Sequence, residues 1–83
     1  MASKQDEEDS LAMADRHIRE SRERIAKQEG IIGDLTANGH DTVTAMALLQ
    51  TYRETLNSFV DHRIVIVEEL ERLAAKTIPT KPA

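Results

Sequence analysis

Apolar residues recur along this chain at helical spacing, in two long runs separated by a single break. In the first run Leu11, Ile18, Ile25 and Ile32 stand seven apart, and Ala14, Ser21, Gln28 and Leu35 form the neighbouring seam. Labelled as a heptad, these are the a and d positions of a helix with one strongly apolar edge and one small or polar edge. The second run places Leu49, Leu56, Arg63 and Leu70 at a and Tyr52, Phe59, Ile66 and Leu73 at d. Met46, Arg53, Val60, Val67 and Ala74 stand at the adjoining e positions. Its stripe is wider, and Ile64-Val65-Ile66-Val67 is apolar on nearly every side, a pattern of helices buried on more than one face. Four β-branched residues in a row also suit a strand. The absence of Gly and Pro around them and the continued spacing decide for helix.

Between the runs stands Asn38-Gly39-His40-Asp41-Thr42, where a helix stop and a helix start lie back to back. Gly39 can take the left-handed conformation that closes a helix, and Asp41 or Thr42 can cap the next one through a side-chain oxygen. His40 most simply serves the reversal. The expectation is an all-α antiparallel two-helix hairpin, with helices at about 10–38 and 42–76. Folding the chain at Gly39 sets Leu11 opposite Leu70, Ile25 opposite Leu56 and Ile32 opposite Leu49. Small Ala14 and Ser21 then face Val67 and Val60, an alternation that suits interdigitation. The same register sets Glu29 beside Arg53, Gln28 near Tyr52 and Arg53, and Ile18 opposite Arg63. Arg63 then either lays its stem on the core with its head at the edge, or makes a buried polar contact that fixes register. Gly30 and Gly33 each cost up to about 1 kcal/mol relative to Ala inside a helix. A continuous helix through them is favoured over a bend.

The ends read differently. Residues 1–9, with Asp6, Glu7, Glu8 and Asp9, read as a polar acidic lead, frayed and solvated, although a first turn could begin as early as Ser3. Residues 77–83 contain Pro79 and Pro82 and read as a disordered tail.

Composition then narrows the function. The chain has 83 residues, no Cys or Trp, one Tyr and one Phe, so neither disulfides nor a Cys-zinc site supplements a thin core. A lone hairpin buries too little to stand by itself. The expectation is a homodimer forming a four-helix bundle, with Leu11, Ile18, Ile25, Phe59, Val60, Ile64, Ile66 and Val67 as its interface. A net charge of −4 weighs against nucleic acid as a partner. Arg16, Arg19, Arg22 and Arg24 nonetheless make a nucleic-acid-associated regulator the alternative. These arginines have acids within a turn and no interleaved aromatics, and Asp15–Arg19, Glu20–Arg24 and Glu23–Lys27 form expected i,i+4 pairs. No apolar run nears the ~20 residues of a membrane span, and the polar start excludes a secretory signal, so a cytoplasmic location is expected.

Catalytic constellations are missing: there is no Cys nucleophile, Gly-rich phosphate loop or Ser elbow. His17 and His62 come near one another in the hairpin, with Glu20 and Asp61 close by, and are the candidates for a weak metal site. They lack a third His on the same layer and any i,i+4 pair, so the expectation is a non-enzymatic protein with no cofactor. It is read as a small interaction or scaffold module acting on a protein partner through its helix faces.

The segments Ala14-Asp15-Arg16-His17-Ile18, Ile25-Ala26-Lys27-Gln28-Glu29, Gly39-His40-Asp41-Thr42 and Leu48-Leu49 through Leu56 carry a resemblance. Over about residues 11–73 the chain resembles short uncharacterised alphaproteobacterial proteins of rhizobial type. The resemblance implies a bacterial helical hairpin. It brings no catalytic or binding residues with it, since those proteins carry no assigned activity.

Overall fold

A computed structural model describes residues 3–77. Two helices, α1 (Lys4–Ala37) and α2 (Val43–Thr77), pack against one another along their length as a helical hairpin measuring 72 × 19 × 19 Å. No strand is present among the described residues.

Helix α1 starts six residues earlier than the apolar pattern alone places it. Ser3 accepts a hydrogen bond from the Asp6 backbone N–H through its hydroxyl at 3.1 Å, and its own N–H donates to Asp6 Oδ2 at 3.3 Å. This reciprocal capping box satisfies two N–H groups that have no partner inside the helix. Asp6 and Glu7 in the first turn add favourable charge at the positive end of the helix dipole. The acidic stretch read as a frayed lead is therefore mostly first-turn helix. The expected disordered tail lies outside the described residues, apart from Thr77, which closes α2.

The reversal is held by backbone and side chain together. Gly39 has φ of 70°, the only positive φ among the described residues. Its N–H donates to the Thr36 carbonyl and the His40 N–H to the Leu35 carbonyl, the paired bonds of a Schellman motif. Asp41 then accepts from the Val43 N–H at 2.9 Å, and the Thr42 carbonyl takes the first helical bond of α2 from the Met46 N–H. Asp41 is thus the residue whose side chain caps α2. His40 contributes its main chain, while its side chain stays exposed.

The seam between the helices buries Ala14, Ile18, Leu49 and Ile66, together with the polar Ser21 and Gln28. Gln28 lines a groove with Tyr52, as the folded register sets it, and is satisfied by donating through Nε2 to the Ala45 carbonyl at 2.9 Å. A buried amide left unpaired costs about 1–3 kcal/mol, so this bond ties α1 to one level of α2. Gly30 and Gly33 lie within continuous helix, and a Cβ built at either meets nothing within 4 Å. Neither interrupts the helix, and neither is required by close packing within the chain.

Candidate interaction faces

The cross-helix contacts sort the hairpin into two long sides. On one, Asp15 accepts from Arg63 Nε at 2.6 Å, and Glu29 accepts from Arg53 at 3.3 Å. On the other, the His17 ring lies 4.9 Å from the Phe59 ring, and the Arg24 guanidinium sits 5.6 Å above Tyr52. The heptad explains the division: Asp15, Arg22 and Glu29 share one e row of α1, while His17 and Arg24 share the g row on the opposite flank.

Arg63 resolves in favour of the simpler expectation. Its side chain is 42% exposed, and its head reaches Asp15, one turn before Ile18, at the rim of the seam. This contact is a partly solvated ion pair, and such pairs contribute at most about 1 kcal/mol. The Glu29–Arg53 pair appears where the folded register sets it. The three acid-first pairs expected along α1 do not form: Asp15 is taken by Arg63, Arg24 lies over Tyr52 while Glu20 pairs with Arg16, and Glu23–Lys27 is also absent among the described residues. Arg16–Glu20 at 3.8 Å and Lys4–Glu8 at 3.9 Å are the ion pairs within that helix. The arginine set proposed for nucleic acid is likewise divided. Arg16 is paired, Arg24 covers a ring, and Arg19 and Arg22 make no ion pair among the described residues.

The eight residues expected to form one interface also separate. Ile18 and Ile66 are consumed in the hairpin's own seam, with Ile66 only 3% exposed. Leu11 and Ile25 are half-buried along the same seam. Phe59 belongs to the ring side. Val60, Ile64 and Val67 stand at i, i+4 and i+7 on the flank of α2 that carries Arg53, the ion-paired side. Val60 and Val67 are half-buried, and Ile64 is 52% exposed. Val65 is 61% exposed and points away from α1, so it belongs to neither side.

His17 and His62 line one shallow groove of about 310 Å³ with Ser10, Met13, Ala14 and Phe59. Among the described residues, no group of three His, Cys, Asp or Glu is arranged to hold a metal ion. His17 instead packs its ring on Phe59, and His62 is exposed. Also among the described residues, no helix is long and apolar enough to cross a membrane.

No protein-family model, curated protein or solved structure matches the chain.

Proposed function

We propose that this hairpin is a non-enzymatic interaction module that works by self-association, two copies forming a four-helix bundle. The observation that carries this reading is the contrast between neighbours on α2. Ile66 is almost fully covered by α1, while Ile64 and Val65, equally apolar, are more than half exposed. No large side chain of the described hairpin falls below 2% exposure, so the seam is thin. Burial contributes roughly 25 cal/mol per Å² of apolar surface. A thin seam and an open β-branched ridge therefore favour a second layer, as in bundles whose helices each contact two others. In this reading the paired copies present their remaining helix faces as a scaffold for other proteins.

Size-exclusion chromatography with light scattering at micromolar concentration tests it directly. A mass of twice the 9.3 kDa chain is expected. A compact, helical monomer at those concentrations overturns the reading.

A further inference from the structure

Resting on that reading, we infer that the second copy docks antiparallel on the ion-paired side, with a two-fold axis passing at the level of Ile64 and Asp15. Three observations converge on this placement.

The first is the shape of the ridge. Val60, Ile64 and Val67 form an apolar strip on one flank of α2, with Ile64 near its middle and the most exposed of the three. An isologous interface requires a patch that complements itself. A strip of this kind does so when reversed about its centre, which brings Ile64 onto the partner's Ile64 and Val60 onto the partner's Val67.

The second is charge. On the same side of α1, Glu8, Asp15 and Arg22 are spaced seven apart and share one row. Asp15 is already held by Arg63, which lies next to Ile64 in the chain. Reversal about Asp15 brings Glu8 of one copy to Arg22 of the other, twice per dimer. Arg22 makes no ion pair within the described chain, and Glu8 has only a 3.9 Å contact with exposed Lys4. A parallel arrangement would instead stack each α2 on the partner's α1 and leave both groups unmatched.

The third is area. Thirteen residues separate Ile64 from Thr77, so at 1.5 Å per residue the reversed copies overlap over about 40 Å. With a width of 19 Å, the overlap is on the order of 750 Å² per copy, close to the ~800 Å² per partner of stable complexes. The two Gly39 turns then project from opposite ends of the dimer.

The chain contains no cysteine, so single-cysteine variants report proximity without background. Ile64→Cys, oxidised after circular dichroism has verified its helicity, is expected to give a disulfide-linked dimer on a non-reducing gel. Phe59→Cys on the ring side and Val65→Cys on the outer face are expected to stay monomeric on the same gel. Val60→Cys and Val67→Cys are expected to cross-link when mixed at least five-fold more than either does alone, a readout that does not depend on tolerance at Ile64. A dimer in solution with neither the Ile64 nor the mixed Val60–Val67 cross-link overturns the placement and leaves self-association standing. A monomeric parent chain overturns both.

Discussion

The two long sides of the hairpin start from similar materials and end differently. Each has long polar side chains reaching across the seam between α1 and α2. On the ring side the cross-helix partners are aromatic: His17 meets Phe59 and Arg24 lies over Tyr52. The rings are covered by groups of the same chain, and that apolar surface is partly used up. On the ion-paired side Asp15 and Glu29 take Arg63 and Arg53, contacts that satisfy charge but cover little hydrocarbon. Beside them Val60 and Val67 are only half-buried, and Ile64 is left 52% exposed. In this two-helix fold the nature of the flanking residues decides which side covers its apolar surface within the chain and which leaves it open. Sequence hydrophobicity by itself does not separate the two.

The sharpest way to break this comparison is a charge at the centre of the open ridge. Ile64→Asp places two carboxylates against one another at the inferred axis, where burial of an unpaired charge costs several kcal/mol. A loss of dimer affinity of at least ~100-fold, or about 2.7 kcal/mol, is expected, with helicity retained at low concentration because Ile64 is outside the seam. Sedimentation equilibrium of the variant against the parent measures it. Unchanged affinity would mean that the ridge is not the contact.

A second substitution probes the side described as internally finished. Phe59→Ala removes the ring under His17, and loss of buried Phe typically costs roughly 3–5 kcal/mol. Phe59 is only half-buried, so about 2 kcal/mol of hairpin stability is the expected loss, read as a lower urea midpoint by circular dichroism. The Ile64→Cys cross-link should persist in this background under conditions where the variant remains folded. If Phe59→Ala abolishes the cross-link while the chain stays helical, the two sides are not separable.

Much of the architecture was legible because it rests on local chemistry. The heptad spacing, the left-handed glycine at Gly39 and a cap from Asp41 or Thr42 each act within a few residues; the structure has all three and selects Asp41 as the cap. The Glu29–Arg53 contact followed from folding the chain at that turn. Less was legible where a long side chain chooses among several partners. Asp15 stands four residues before Arg19, and local pairing on α1 competed with Arg63 across the seam. Gln28 found a backbone carbonyl, a partner that residue types do not display. The start of α1 was obscured for a different reason, since a run of acids reads equally as a solvated tail and as first-turn residues, and the Ser3–Asp6 box decides between them. The expected interface divides because Phe59 and Val60, adjacent in sequence, stand about 100° apart around the helix and belong to opposite sides.

Gly30 and Gly33 give the finest test of where the open side ends. Both sit inside α1, and a Cβ added at either would have open space around it within its own chain. Replacing either by Ala should therefore stabilise the isolated hairpin by about 0.5–1 kcal/mol, because Ala has less backbone entropy to lose on forming helix. The two positions differ in what they face. Gly33 continues the row of Arg19 and Ala26 on the ion-paired flank, and Gly30 stands further toward the outer face. In the antiparallel dimer the overlap covers the open half of the hairpin, and Gly33 lies beyond it, near the projecting turn. The two substitutions should accordingly give equal gains in thermal midpoint at dilute and at micromolar concentration. If Gly33→Ala loses its gain only at the higher concentration, a second backbone approaches there, and the contact extends along α1 as far as the turn.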